Sequence, residues 1–171
     1  MDYSKLIDNP SQEKINKVLE HLTNLDIKYQ IWYHPPLPTI EEAIEYWKEM
    51  PGTHCKNLFF RNHKGNKHYL VILECHQTLD IHTLEKKLKQ GKLSFASPKR
   101  MEKYLGVTPG SVTPFGLIND HEKHVKVFID KELQNTNMIS FHPNDNRASV
   151  VVANEDFKKF INMSKNEYEY I

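Results

Sequence analysis

The 171-residue chain has few cysteines, and this scarcity argues against two classes of protein. Cys55 and Cys75 are too few for a disulfide framework and lack the paired spacing of a zinc knuckle. His54-Cys55 and Cys75-His76 have the residue types of a zinc site, but neighbours on an extended chain point to opposite faces. We therefore expect no metal ion and no cofactor.

The chain also lacks an excess of charge and a long apolar run. Its 23 Lys and Arg residues nearly balance its 22 Asp and Glu residues, so nonspecific binding to DNA or to an anionic membrane is not its expected role. No segment has the length of a bilayer-spanning helix, and the first residues lack the pattern of a signal peptide. We expect one cytoplasmic domain over residues 1–171, without a membrane partner.

Hydrophobic periodicity predicts two helices, a hairpin, two further helices, several strands and a final helix. The predicted helices cover residues 11–25, 40 to about 50, 80–90, 98–106 and 154 to about 163. A short apolar run lies at 29–33, and the predicted strands are 57–61, 68–74, 112–118, 125–130, 138–141 and 149–153. Residues 70–73 are apolar throughout, which is typical of a strand covered on both faces. We expect an α/β fold in which a mixed, mostly antiparallel sheet is wrapped by peripheral helices.

The most informative segment is the loop Gly110-Ser111-Val112-Thr113-Pro114, which follows a predicted helix end. Gly110 lets the main chain approach a ligand closely, and Pro114 fixes the backbone at the exit. The amides of Ser111, Val112 and Thr113 could then hold an oxyanion or a ribose, which suggests ester chemistry without a side-chain nucleophile. A simple type II turn at Pro109-Gly110 explains the same residues without any function.

Three side chains add polar chemistry at the ends of predicted strands. Lys56 and Asn57 stand at the start of one strand, where a cation could face a phosphate or a carbonyl oxygen that gains negative charge. His142 follows another strand and could bond a substrate amine or orient a water. Solvated strand ends and turns explain all three without any function. A Cys55 thiol nucleophile stays open, but no Gly-x-Ser-x-Gly elbow is present for a serine nucleophile.

A basic patch stands out against the balanced charge of the whole chain. Only Glu102 interrupts its positive residues, which are Lys86, Lys87, Lys89, Lys92, Lys99, Arg100 and Lys103. The patch occupies two consecutive predicted helices that lead into the glycine-proline loop, an arrangement that suits an RNA backbone. A solvated helix face is the simpler alternative.

Several segments together resemble the YbaK/ProX family of trans-acting aminoacyl-tRNA editing deacylases. They are His34-Pro35-Pro36, Thr39-Ile40-Glu41-Glu42-Ala43, Cys55-Lys56-Asn57-Leu58-Phe59, Lys67-His68-Tyr69-Leu70-Val71, Leu93-Ser94-Phe95-Ala96-Ser97, the run from Leu105 to Leu117, and Phe141-His142-Pro143. The Lys-Asn-Leu-Phe and Phe-His-Pro forms are similar to the ProX branch, which removes alanine from tRNA(Pro). The chain departs from the family pattern at Leu37-Pro38 and at Asp145-Asn146-Arg147.

This resemblance implies a compact α/β domain that acts on the acceptor end of a mischarged tRNA(Pro), with prolyl-tRNA synthetase as a further candidate partner. It implies that Lys56 and the loop from Gly110 to Pro114 line the site for the terminal adenosine and its ester, with Asn57 and His142 at further pocket positions. An aminoacyl ester is already activated, so a positioned water suffices as nucleophile. Removal of cysteine from tRNA(Pro), a tRNA-binding module without catalysis and an oxyanion-binding domain unrelated to tRNA remain alternatives.

Overall fold

The computed structural model describes residues 1–37 and 39–171. Its α-helices are α1 (Asn9–Asn24), α2 (Ile40–Trp47), α3 (Ile81–Leu88), α4 (Pro98–Leu105) and α5 (Asn154–Ser164). Its strands are β1 (Tyr29–Tyr33), β2 (Thr53–Arg61), β3 (His68–Glu74), β4 (Ser94–Phe95), β5 (Val125–Ile129), β6 (Met138–Phe141), β7 (Ala148–Ala153) and β8 (Tyr168–Tyr170). In this part of the chain, no helix has the length and apolar character needed to cross a membrane.

The eight strands form one sheet in the order β1-β7-β6-β2-β3-β5-β8, and β4 pairs with β2 beside this path. The pairs β1-β7, β6-β7, β2-β3 and β2-β4 are antiparallel. The pairs β2-β6, β3-β5 and β5-β8 are parallel. The sheet is therefore mixed, and the predicted α/β class is confirmed.

Strand β3 lies at the centre of the fold, as its continuous apolar run predicts. Leu70 and Ile72 belong to a large core on one face of the sheet. Tyr69, Val71 and Leu73 belong to a smaller core on the other face. Because side chains alternate along a strand, an apolar residue at every position fills both cores at once.

The helix limits follow local capping chemistry, which differs in detail from the sequence expectation. Helix α1 begins at Asn9, two residues earlier than predicted, because the Asp8 carboxylate accepts a hydrogen bond from the first-turn amide of Ser11. Helix α3 ends at Leu88, two residues before the predicted limit, and its C-cap Lys89 takes a left-handed conformation. For α4 the prediction is confirmed, since Ser97 caps the start and Gly106 is left-handed at the end.

The predicted strand at 112–118 is wrong, because Pro114–Asn119 forms a 3₁₀-helix. The Thr113 hydroxyl accepts a hydrogen bond from the amide of Phe115, and the Thr113 carbonyl accepts one from Gly116. This local capping, with a proline in the first turn, outweighs the apolar content that favoured a strand. Nothing in the sequence pattern indicated β8, which lies in the polar tail and pairs with β5.

One edge of β2 is only partly paired, and this gap positions the candidate site. Strand β6 pairs with β2 at Thr53 and His54, whereas β4 pairs with it at Phe60 and Arg61. Between these points, no strand of the described chain covers that edge over residues 55–59. Residues 55–61 are fully paired with β3 on the opposite edge. The strand therefore starts four residues earlier than predicted, and its middle faces a cavity.

Candidate active site

A cavity of about 340 Å³ lies at the open edge of β2. Residues 55–59 form one wall, and α2 contributes Ile40, Ala43 and Trp47 to another. The remaining lining residues include Gly110, Val112, Met101, Phe95 and His142. The cavity thus brings together five sequence-predicted site residues from three separate segments of the chain: Lys56, Asn57, Gly110, Val112 and His142.

The backbone of β2 supplies polar groups to this cavity. The carbonyl of Phe59 accepts a hydrogen bond from Ala96 on the open edge. Because backbone groups alternate between the two edges of a strand, the amide and carbonyl of Asn57 face the same edge. A ligand in the cavity can therefore bond the main chain of β2 as a neighbouring strand would.

The side chain of Asn57 adds an acceptor that the described residues leave unused. Its Oδ1 atom is buried and has no hydrogen-bond partner within the described residues. Since a buried polar atom without a partner costs about 1–3 kcal/mol, this orientation is expected where a ligand completes the bond.

His142 supplies a second acceptor from the end of β6. Its Nδ1 atom lies 2.8 Å from the carbonyl oxygen of Ala148. A carbonyl only accepts, so Nδ1 carries the proton and Nε2 keeps its lone pair. Burial lowers the pKa of His142 to about 4, so the ring is neutral at pH 7.

The loop from Gly110 to Pro114 divides into residues that face the cavity and residues that shape it. Gly110 has φ of +85° and lines the cavity together with Val112. The amide of Ser111 donates a hydrogen bond to the carbonyl of Thr108 across 3.0 Å. This bond closes a turn whose third residue, Gly110, has the positive φ. Ser111 and Thr113 are buried, and Pro114 begins the following 3₁₀-helix. The type II turn is therefore present and holds Gly110 and Val112 at the cavity wall.

Lys56 places a positive charge in the wall formed by β2. Its side chain lines this cavity and a neighbouring apolar one. It is half-buried, as expected for a lysine whose stem packs while its ammonium stays near solvent. A cation and backbone amides around one cavity can stabilise negative charge on an oxygen held between them.

The predicted basic patch does not remain one uniform surface. Six of its members are exposed: Lys86, Lys87, Lys89, Lys92, Lys99 and Lys103. Of these, Lys87 pairs with Glu169. Arg100 is less exposed and donates to the carbonyl of Gly65 and to His68, at 2.7 and 2.9 Å. Arg100 therefore joins α4 to the β2-β3 hairpin.

Cys55 lines the cavity, but neither cysteine resembles a nucleophile. Burial raises the pKa of Cys55 well above its ordinary value, and burial also raises the pKa of Cys75 to about 12. Both thiols therefore stay protonated at neutral pH, which disfavours nucleophilic attack.

The geometry at Glu74, Cys75 and His76 differs from the expectation that neighbouring side chains point to opposite faces. The chain turns after β3, so their side chains converge, with ligand atoms within 4.8 Å of one another. They already bond each other: His76 Nδ1 lies 2.9 Å from Glu74 Oε1, and the Cys75 thiol donates to the same oxygen across 3.1 Å. This cluster is the place where the described residues come nearest to a metal-binding arrangement.

One departure from the family pattern has a structural explanation. The guanidinium of Arg147 bonds the carboxylate of Asp145 at 2.8 Å and that of Asp8 at 3.0 Å. It therefore ties the loop after β6 to α1, next to His142. At the other departure, Leu37 lines the cavity, and Pro38 lies outside the described residues.

Sequence reasoning missed the contribution of α2 and Phe95 to the cavity. The apolar residues of α2 have the spacing of a core-facing helix, yet Ile40, Ala43 and Trp47 line the cavity at the open edge of β2. No sequence signal distinguishes these two environments, because both favour apolar side chains.

Comparisons with known proteins show which family this chain resembles. The family model of the aminoacyl-tRNA editing domain matches residues 34–160. The prolyl-tRNA editing protein ProX of Acetoanaerobium sticklandii is 42% identical over 154 residues, which cover 90% of this chain and 94% of the relative. A prolyl-tRNA synthetase associated domain-containing protein of Bos taurus is 30% identical over 146 residues, 83% of this chain and 85% of that protein.

A solved structure provisionally described as a trans-editing enzyme for prolyl-tRNA synthetase has a TM-score of 0.68. The match covers 92% of this chain and 95% of that one at 19% identity, so it concerns the fold alone. The sequence matches cover both the open edge of β2 and the loop at Gly110. On this evidence, the chain belongs to the aminoacyl-tRNA editing domain family.

Proposed function

We propose that this protein hydrolyses Ala-tRNA(Pro) in trans, releasing alanine from tRNA that prolyl-tRNA synthetase has mischarged. Membership of the editing family makes the chain an aminoacyl-tRNA deacylase, and its relatives support prolyl-tRNA editing. The observation that carries the proposal is the shared cavity of Lys56, Asn57, Gly110 and His142.

The two unused acceptors suit the amino group of an aminoacyl ester. Asn57 Oδ1 lacks a protein partner among the residues described, and the neutral ring of His142 keeps a lone pair on Nε2. An α-ammonium group donates up to three hydrogen bonds, so it can satisfy both atoms. The ammonium would thereby fix the acyl carbon against the wall formed by β2.

The cation and the backbone amides suit the charge that develops during hydrolysis. A water oxygen bonds to the ester carbon, the carbonyl oxygen gains negative charge, and the bond to the ribose oxygen then breaks. The proton from water passes to that ribose oxygen, and the free ribose hydroxyl is a suitable carrier. Lys56 and the amide of Val112 stabilise the anionic oxygen, which lowers the barrier without a covalent intermediate.

Selectivity for alanine over proline follows from size. A synthetase pocket discriminates by only about 1–3 kcal/mol between amino acids that differ by one methylene group. A second, smaller site is therefore needed to restore accuracy. Ala43, Met101 and Val112 supply apolar surface around the acyl position. Alanine fits such a site, and the proline ring is excluded.

Correctly charged Ala-tRNA(Ala) must survive, so the protein also has to recognise tRNA(Pro). The exposed lysines of α3, α4 and the intervening loop are the proposed contacts to the acceptor stem. Prolyl-tRNA synthetase is the proposed source of the substrate, in the cytoplasm.

The test is a comparison of amino-acid release from tRNA(Pro) charged with alanine, cysteine, serine or proline. We expect alanine to be released fastest and proline to be retained. The matched variants are Lys56→Ala and Lys64→Ala, because Lys64 is an exposed lysine of the β2-β3 turn. Faster release of cysteine would instead indicate a protein that removes cysteine from tRNA(Pro). Binding of charged tRNA without release would contradict the proposed catalysis.

A further inference from the structure

Phe95 is the most exposed aromatic side chain near the candidate active site, with 66% of its surface accessible. It lies in the two-residue strand β4, in register opposite Phe60 of β2. The two rings stack with centroids 4.7 Å apart and planes 25° apart. Phe60 is buried in the smaller core, so the exposed ring rests on a fixed support.

A second cavity of about 300 Å³ adjoins the active-site cavity. The two share Lys56, Leu58 and Phe95 as lining residues. The other walls of the second cavity are mainly apolar, from Phe60, Leu79 and Ile81. It is therefore a shallow apolar shelf with an aromatic ring and one cation at its border with the active site.

We propose that this shelf binds the nucleobase of the nucleotide immediately preceding the terminal adenosine of the tRNA, with Phe95 as its stacking platform. The inference rests on the proposed function, which places the terminal ribose and ester in the adjoining cavity. A polynucleotide leaving that cavity past the shared wall carries a phosphate and then a base. Lys56 lines both cavities, so its positive charge can act on the linking phosphate as well as on the ester, and the ring of Phe95 offers the base an aromatic face.

The charge around the shelf favours a nucleic acid as its occupant. The chain continues from Phe95 into the start of α4, which carries the exposed Lys99. An aromatic face next to cations is the usual arrangement for holding single-stranded nucleic acid, because every base has a face to stack and every linkage has a negative charge. Stacking of this kind tolerates any base, so the shelf would add affinity without reading sequence.

The experiment compares two non-hydrolysable ligands in which an amide replaces the ester. One is 3′-alanylamido-adenosine, and the other carries two cytidylates before the same adenosine. Titration calorimetry gives the affinity gained from the two cytidylates. For the wild-type protein we expect a gain of about tenfold or more from stacking, in addition to a salt-dependent part from phosphates.

Phe95→Ala should remove most of the salt-independent gain, whereas Phe95→Trp should retain it. Met163→Ala is the matched control, because Met163 is another exposed apolar side chain, on α5. A gain in affinity that persists in Phe95→Ala would overturn the inference. The inference would also fail if Phe95→Ala lost only its association with prolyl-tRNA synthetase.

These results are separable from a failure of the proposed function. If wild-type protein deacylates Ala-tRNA(Pro) but the gain does not depend on Phe95, only the shelf is wrong. If wild-type protein neither deacylates charged tRNA nor binds either ligand, the proposed function fails, and the shelf proposal with it.

Discussion

The neighbouring strands β2 and β3 pair along seven residues and yet have opposite characters. Strand β3 is buried from His68 to Leu73, with apolar residues filling a core on each face. Strand β2 is only partly buried over residues 53–58 and carries Lys56 and Asn57 at its open edge. Strand β3 organises the fold, and strand β2 exposes polar atoms to a cavity.

The difference shows that incomplete pairing can create a site within a stable sheet. Strand β3 has hydrogen-bonded neighbours on both edges, in β2 and β5. On the edge of β2 between β6 and β4, no described strand pairs with the backbone groups of Asn57, so a ligand can bond them. A rigid strand thereby presents amides, an amide side chain and a cation in fixed positions, as preorganised electrostatic stabilisation requires.

The substitution with the largest expected effect tests the charge on β2 separately from the structural role of this strand. Lys56→Ala should lower kcat/KM for Ala-tRNA(Pro) by about 10²–10³-fold, because the anionic oxygen would have no cation beside it. Urea unfolding should change by no more than about 0.5 kcal/mol, since the residue is partly solvated. Deacylation at the wild-type rate would show that the cation is not part of the mechanism.

The corresponding change in β3 should act on stability alone. Leu70 is fully buried in the larger core, so Leu70→Ala should lower the free energy of unfolding by about 2–5 kcal/mol. Urea denaturation measures this decrease. At a temperature where the variant remains folded, kcat/KM should stay within about twofold of wild type. A specific loss of activity in the folded variant would contradict the separation between the two strands.

Gly110→Ala tests how the loop approaches β2. A side chain at φ of +85° is strained, and the added Cβ would lie 3.1 Å from Nδ2 of Asn146. We expect a loss of about 1 kcal/mol in unfolding free energy and a larger fractional loss of kcat/KM, because Val112 shifts from the cavity wall. Gly65→Ala is the control, since Gly65 also has positive φ but lies in the β2-β3 turn. Equal losses of activity in both variants would argue against a specific role for the loop.

The pH dependence of stability should distinguish the site histidine from a packing histidine. Burial holds the folded pKa of both His142 and His68 at about 4, below the ordinary 6.5. Between these values the unfolded chain binds more protons, so stability should fall as the pH decreases from about 6.5 to 4. Each substitution, His142→Gln or His68→Gln, should reduce that slope in acid-dependent urea unfolding, but only His142→Gln should also lower kcat/KM. A slope unchanged by both substitutions would contradict the pKa shifts.

The smallest expected effect concerns the exposed lysines. Lys86→Glu with Lys89→Glu should weaken tRNA binding severalfold, because fewer phosphates are neutralised. The slope of log affinity against log salt should fall by about 1 for each phosphate that no longer has a lysine beside it. Lys87→Glu is the comparison, because Lys87 already pairs with Glu169. Unchanged salt dependence in the double variant would remove these lysines from the binding surface.

Much of the fold was accessible from the sequence because local signals agreed with the tertiary structure. The run at Leu70–Leu73 and the cap at Ser97 each had one physically consistent interpretation. The segment at Pro114–Asn119 did not, because local capping overrode apolar content. The polar tail could not be recognised as β8, since its pairing with β5 depends on a partner about 40 residues away in sequence.

The site was only partly predictable for a related reason. Lys56, Asn57, Gly110 and His142 have distinctive residue types, whereas Phe95 and the stripe of α2 resemble ordinary core residues in sequence. Their role depends on the gap between β6 and β4, which is a property of the assembled sheet. The unused Oδ1 of Asn57 likewise became evident only when the neighbouring donors of the described chain were placed.

The most direct test of the account is a crystal structure of the protein with 3′-alanylamido-adenosine. We predict that the ligand occupies the cavity at the open edge of β2, with its ammonium in hydrogen-bond contact with Asn57 Oδ1 and His142 Nε2 and its carbonyl oxygen facing Lys56. A ligand bound elsewhere, or one in this cavity whose ammonium and carbonyl contact none of these three residues, would contradict the account.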